Sequence, residues 1–274
     1  MTATEHKRIG LALSGGLARG LAHIGVLLVL EREGIPIDCV AGTSAGSLIG
    51  ALYCAGVKPE RLEEMSVDIG WMRLARPVWP RQGFVSFAGL ERWLIETIGD
   101  LQIADLMRPF AAVATDVCTG LPVVLREGWL ASAVCASCSV SGFVQPVAWD
   151  GRLLGDGGPS CNLPTLAARE LGADYVIGVD VMQPAVRPQL GPLGYGLPAL
   201  ETMIRRSGGG LEAADCLITP ELAGATYLRF SKRKELIALG KRAAEAQLPV
   251  IRAALTERAA LAERAALAEK SVAI

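Results

Sequence analysis

Asp38-Cys39-Val40-Ala41-Gly42-Thr43-Ser44-Ala45-Gly46-Ser47, followed by Leu48-Ile49-Gly50-Ala51-Leu52-Tyr53, is the stretch on which the architecture of this chain turns. A few short apolar residues, then Gly-x-Ser-x-Gly, then an apolar helical pattern, is the order that a strand-to-helix elbow needs. Such a turn forces strained backbone angles on the serine, and glycines at 42 and 46 let neighbouring backbone pass close by. Ser44 Oγ then stands at a helix N-terminus, where backbone N–H groups and the positive end of the helix dipole favour an anion forming beside it. Taken alone the pentapeptide reads equally well as a Gly/Ser-rich turn without chemistry, so its surroundings must decide.

Upstream, Ile9-Gly10-Leu11-Ala12-Leu13 reads as a buried strand running into Ser14-Gly15-Gly16-Leu17-Ala18-Arg19-Gly20, with an apolar helix from about Leu21 to Arg32. A glycine-rich loop between strand and helix presents several N–H donors to an anion or a developing oxyanion. It is not a dinucleotide fingerprint, because Leu17 stands at the second glycine position. Nor is it a phosphate loop, because no Gly-Lys-Ser/Thr follows. Two strand–loop–helix units in a row place both loops at the carboxyl ends of adjacent parallel strands, where open α/β sheets keep their sites. His23, alone on the first helix, reads as a packed or capping residue.

Downstream, Trp71 to Phe87 interleaves aromatic rings with arginines, as a cap over an ester site or a patch against lipid headgroups would; an ordinary packed excursion fits as well. Phe110–Thr115 and Leu121–Leu125 read as a hairpin, followed by a helix from Trp129 to about Ser137. Val144–Trp149, the Asp150-Gly151 turn and Arg152-Leu153-Leu154 lead to Gly155-Asp156-Gly157-Gly158. An aspartate boxed by glycines is ill suited to a strand or helix interior, and suits either a simple turn or a carboxylate that another loop must approach closely. A helix over Leu163–Leu171 and a buried strand over Asp174–Val181 continue the alternation. Gln183 to Pro198 reads as a mobile loop before a short helix from Leu200 to Arg206, and Gly208-Gly209-Gly210 as a flexible joint. Asp215–Pro220 reads as a last strand. Ser231 is placed to cap a long final helix interrupted at Pro249. Leu255, Leu261 and Leu267 recur every six residues, so they rotate around a helix rather than form one seam; residues 256–274 are expected to be a surface helix or frayed tail beyond a domain of residues 1–255.

The bulk composition narrows the function. With 274 residues, 51% hydrophobic, 20% charged and a formal net charge of -1, the chain carries no basic footprint for nucleic acid. Its longest apolar run in the first half, Val26–Leu30, is far below the ~20 residues of a membrane span. No signal segment is read at Met1–Arg8, so a cytoplasmic location is expected, with room for peripheral contact at a membrane. Seven cysteines scattered through apolar segments read as buried free thiols, and Cys135-x-x-Cys138 lacks the partners of a metal site; no metal and no cofactor is expected.

The base for Ser44 is found by order. In an α/β-hydrolase the histidine follows the serine, yet His6 and His23 both precede it. The base is therefore His23 in an unusual order, or a group other than histidine. At this point the chain resembles the patatin-like phospholipases. Ser14–Gly20 is similar to that family's oxyanion loop, Gly42-Thr43-Ser44-Ala45-Gly46 to its nucleophile elbow and Asp156-Gly157-Gly158 to its Asp-Gly-Gly/Ala signature, with Ala114-Thr115-Asp116 and Asn162-Leu163-Pro164 in support. Leu17 departs from a position that is often glycine in the family, and Ser141 from one that is usually proline. The resemblance implies a three-layer α/β/α sandwich around a mixed, mainly parallel sheet, and a serine acyl-ester hydrolase of phospholipase, lysophospholipase or esterase type. It implies Ser44 as nucleophile and Asp156 as base. N–H groups of Gly15, Gly16 and Leu17 would hold the oxyanion, and Gly20, Gly42, Gly46, Gly157 and Gly158 would support the loops. Arg19 is read as a brace rather than a headgroup ligand, since an arginine at the start of a helix meets an unfavourable dipole. An acyltransferase with the same site and a non-catalytic regulatory relative are the alternatives.

Overall fold

The computed structural model describes residues 8–67, 69–223, 227 and 230–272, and the side chains of all these except 71, 72 and 257–272. In chain order the elements are β1 (Ile9–Leu13), α1 (Leu21–Arg32), β2 (Cys39–Thr43), α2 (Ala45–Cys54), α3 (Pro59–Met65), α4 (Trp71–Leu74), β3 (Arg76–Pro77), β4 (Val85–Ser86) and α5 (Ala88–Ile98). They continue with β5 (Phe110–Asp116), β6 (Pro122–Leu125), α6 (Leu130–Cys138), β7 (Val147–Trp149), β8 (Arg152–Asp156), α7 (Thr165–Glu170), β9 (Tyr175–Val179), α8 (Pro192–Arg206), α9 (Gly210–Ala213), β10 (Cys216–Ile218) and α10 (Arg233–Val272). The main sheet runs β10-β9-β1-β2-β5-β8-β7, with β6 also on β5. β10, β9, β1, β2 and β5 pair in parallel, whereas β6 and β8 run antiparallel to β5.

Side-chain size alternates along the central strands and builds two unequal layers. Ile9, Leu11 and Leu13 of β1, Val40 of β2, Phe110 of β5 and Ile177 of β9 face a large core shared with α1, α2, α5, α6 and α10. The residues between them, Ala12, Cys39, Ala41, Ala111 and Val176, face a thin core closed by Ala167 and Ala168 of α7. Successive strand residues point to opposite faces, so apolar runs with this size pattern bury both sides of a parallel sheet. The result is a mixed, mainly parallel sheet with helices on both faces.

One detail of registry positions the site. β2 pairs with Val40↔Phe110 to Thr43↔Val113, and β8 with Ala114↔Asp156 to Asp116↔Leu154. β6 spans Ala112 to Thr115 on the other edge of β5, so β2 and β8 occupy the same edge, one above the other. Where β2 ends at Thr43, β8 begins to pair at Asp156. Ser44, the next residue of the chain, is thereby delivered beside Asp156.

The structure corrects several expectations. Asp156 is the last residue of β8 rather than a turn residue outside any strand. The segment from Gln183 to Pro198 is not all loop: α8 starts at Pro192 and includes Pro198. Proline lacks the N–H that would bond the carbonyl four residues back, and here that carbonyl, Gly194, accepts from Arg187 N–H at 3.0 Å instead. The glycines at 208–210 form a packed turn, in which a Cβ on Gly208 or Gly210 would strike Cys161 or Leu163. α10 continues through Pro249 without a break, and Ser231 lies in a short 3-10 turn before it rather than capping it. Leu255 packs partly against the core. The side chains of Leu261 and Leu267, and His6, lie outside the described residues, as does the character expected of the tail's surface.

Candidate active site

Ser44 joins β2 to α2 with φ 51° and ψ −123°, a region that non-glycine residues avoid. The strain persists because both sides are pinned. Ser44 N–H donates to Ser137 Oγ at 2.9 Å, and Ser137 Oγ–H donates to Val113 O at 2.6 Å. Ser47 Oγ–H donates to Ser44 O at 2.7 Å. A Cβ on Gly42 would enter the Gly46–Ser47 backbone and one on Gly46 would meet Leu13 O, which is why the elbow has glycine at both places.

Asp156 is buried, and its carboxylate accepts a hydrogen bond from Gly158 N–H at 2.8 Å, with the Ser44 side chain beside it. Burial pushes its pKa up to about 6, against the downward pull of the Ser44 side chain and the Gly158 N–H. Its backbone is held as firmly: Asp156 N–H donates to Ser139 O at 2.6 Å and Thr115 Oγ1–H to Asp156 O at 2.8 Å. Gly157 packs against the Val113 carbonyl, where a Cβ would not fit.

The glycine-rich loop lies across from this pair. Gly15 N–H, expected to be one of three donors, is engaged with Asn162 O at 3.2 Å. Gly16 and Leu17 N–H have no acceptor among the described residues. Leu17 adopts φ 51°, the left-handed conformation that explains why glycine is at home there. Gly20 packs on Ala45 of α2. Arg19 is fully buried, donates from Nη1 to Gln183 O at 2.7 Å and stacks over Tyr227 at 3.7 Å from the ring centre. It is a brace beneath the loop. His23 Nε2 lies 2.9 Å from Ser14 O, and burial lowers its pKa to about 4, so the ring is neutral and holds the loop from behind.

Four contributors were given no role at the site by the sequence, although Thr115 and Asn162 lie in stretches that carried the resemblance. The Ser137 and Thr115 hydroxyls and the Ser139 carbonyl tie down Ser44 and Asp156, and none of these groups gives a signal of a partner far away in the chain. The fourth is Asn162, whose fully buried carboxamide has no partner among the described residues. The point a Gly15 Cβ would occupy is 2.8 Å from Asn162 Oδ1 and 3.2 Å from Ser44 Cβ, so this amide borders the site.

Beside Ser44 opens an apolar pocket walled by Leu17, Leu48, Ile49, Leu74, Phe87 and Phe230 among others. Leu74 and Phe87 come from the segment expected to cap the site, whereas Trp79 and Phe84 of the same segment project into solvent. A family model described as "Patatin-like phospholipase" matches residues 11–169, which include the loop, the elbow and Asp156. The chain belongs to the patatin-like phospholipases. Among its patatin-like relatives, Lysophospholipase nte1 of Aspergillus fumigatus is 36% identical over 181 residues, 64% of this chain and 12% of that protein. Patatin-like phospholipase domain-containing protein 6 of Homo sapiens is 39% identical over 183 residues, 63% of this chain and 13% of its own length. The match thus spans about an eighth of those longer relatives. Two solved structures share the fold. VipD from Legionella pneumophila has a TM-score of 0.54 at 12% identity, covering 90% of this chain and 67% of its own. The ExoU–SpcU complex of Pseudomonas aeruginosa gives 0.51 at 17% identity, over 89% and 51%.

Proposed function

We propose that this patatin-like chain hydrolyses fatty acyl esters of phospholipids or lysophospholipids through a Ser44–Asp156 dyad. The observation that carries the reading is the buried Asp156 carboxylate delivered beside the strained Ser44 elbow by the succession of β2 and β8 on β5, in a site whose neighbouring histidine is turned to Ser14 O. Names of relatives that contain "lysophospholipase" support the substrate class.

In this mechanism the acyl chain lies in the apolar pocket and the ester carbonyl faces Ser44. Asp156 takes the Ser44 Oγ proton as Oγ attacks the carbonyl carbon, and the carbonyl electron pair moves onto oxygen. Gly16 and Leu17 N–H hold that oxyanion, helped by the N-terminus of α2. Collapse of the tetrahedral species expels the alkoxide, which receives the proton from Asp156. A water then loses a proton to Asp156 and attacks the acyl-enzyme, and Ser44 leaves as the hydroxyl. The carboxylate is suited to this shuttle because a pKa near 6 leaves it ionised at neutral pH yet more basic than a surface aspartate.

Labelling with a fluorophosphonate probe, followed by turnover of short and long p-nitrophenyl esters and lysophospholipid, tests the proposal. Ser44→Ala should lose both labelling and hydrolysis while remaining folded. Equal turnover by the variant, or a probe adduct on another residue, removes Ser44 as nucleophile.

A further inference from the structure

Helix α8 is built inside out for a helix in water. Its inward side carries Gly194, Pro198, Glu201 and Arg205, a set spaced at three and four residues. Glu201 forms a half-buried ion pair with Arg187 at 2.8 Å, and Arg205 Nε donates to the fully buried Asp180 at 2.6 Å. The apolar residues face out: Leu193 and Met203 are each 71% exposed and Leu200 54%, with Leu197 and Tyr195 exposed beside them. Val186 and Leu190 extend the exposed apolar surface ahead of the helix. A helix that keeps its charges against the protein and its leucines outside gains nothing from water, and a contiguous exposed apolar patch of this kind marks an interface.

The same helix is fastened to both halves of the site. Arg187, the partner of Glu201, faces the ring of Tyr227, which Arg19 stacks against from the glycine-rich loop, and Tyr227 O accepts Ala18 N–H at 3.0 Å. At its other end, Ile204 lies against Gly158, and Ser207 Oγ–H donates to Gly158 O at 2.6 Å. The outward charges suit an anionic surface. Glu201, the single acid between Val186 and Arg206, is turned inward, and Arg206 at the C-terminal end is exposed, with Glu212 as a distant partner at 3.8 Å.

We propose that α8 is an interfacial anchor: its Leu193, Leu197, Leu200 and Met203 face enters a phospholipid surface, with Arg206 at the headgroups, and seats the Ser44–Asp156 site against the lipid. The choice of phospholipid as occupant rests on the hydrolase reading above. Anchoring of this type buries one apolar helix face at the headgroup boundary and adds attraction to anionic lipid.

Flotation of the Ser44→Ala full chain with phosphatidylcholine vesicles, with and without phosphatidylglycerol, measures binding independently of turnover. Binding to both, stronger with phosphatidylglycerol, is expected. Leu200→Glu with Met203→Glu should weaken it about tenfold or more, because charged side chains resist entry into the interface. In the Ser44 background the same pair should keep short-ester turnover and the thermal midpoint, while losing hydrolysis of vesicle lipid. Absence of vesicle binding by the parent chain, or parent-like binding by the double variant, overturns the anchor. So does a dimer of the parent that the double variant converts to monomer, since a second copy then covers α8. Failure of short-ester hydrolysis by the parent strikes the hydrolase reading instead and leaves the flotation result standing.

Discussion

Asp156 is held in surroundings that favour its neutral form, and this changes what a pH profile says about the base. A solvated carboxylate would stay ionised far into acid. With burial raising Asp156 to about 6 and lowering His23 to about 4, the two candidates exchange places on the pH axis. If Asp156 is the base, kcat/KM for a short ester falls as pH drops through about 6, and His23→Gln leaves that limb in place; a limb near 4 that His23→Gln abolishes would restore a histidine mechanism. The shift also acts on stability. The folded state binds the Asp156 proton more tightly than the unfolded chain, so stability is lost as pH rises from about 4 to 6, by up to about 3 kcal/mol. Asp156→Asn should therefore be inactive yet melt higher than the parent at neutral pH, with the two converging near pH 4. Ser44, Gly42, Gly46 and Asp156 were legible because glycine spacing records a steric requirement. Leu17 was legible only as a departure from glycine; its positive φ of 51° is a property of the folded loop.

The C-terminal end of α6 and the residue that follows it fasten the elements of the site together. Ser137 spans the gap between the strained Ser44 N–H and the Val113 carbonyl of β5, and Ser139 O receives Asp156 N–H. Ser137→Ala leaves a buried N–H at the elbow without a partner, which costs about 1–3 kcal/mol. The expected outcome is a lower thermal midpoint together with slower fluorophosphonate labelling of Ser44; an unchanged rate and midpoint would show that the elbow holds itself. The sequence foretold α6 to within a residue at each end, because its apolar pattern is continuous, but it could not announce what a hydroxyl inside it touches. The first half of α8 was misread for the opposite reason, while its second half, Leu200 to Arg206, was expected as helix. The prolines and glycines of that first half carry the signal of a loop, and the helix survives because Gly194 O finds Arg187 N–H from outside the helix.

Across the whole molecule, strand order and helix contact are what local pattern could not supply. The alternation of strands and helices agreed with the layered architecture that the resemblance implied, yet the succession of β2 and β8 along one edge of β5 depends on pairings between distant parts of the chain. The same holds for α10, which lies along α1 far from it in sequence. The two helices approach so closely that a Cβ on Gly25 would meet the Ile237 carbonyl and one on Gly240 the Ala22 carbonyl. Leu236, Ile237, Ala244 and Ile251 of α10 complete the large core there. Nothing in the sequence around Gly240 distinguishes it from a tolerated helical glycine, so its necessity is a property of the packed pair. Gly240→Val would improve the local helix propensity but force two backbones apart in a close-packed interior. The second effect dominates: overpacking against backbone, which cannot rotate aside, should lower unfolding free energy by about 2–4 kcal/mol. Denaturant unfolding of the full chain measures it, and a loss below about 1 kcal/mol would mean that α10 can shift on α1 and that the contact does not fix the fold.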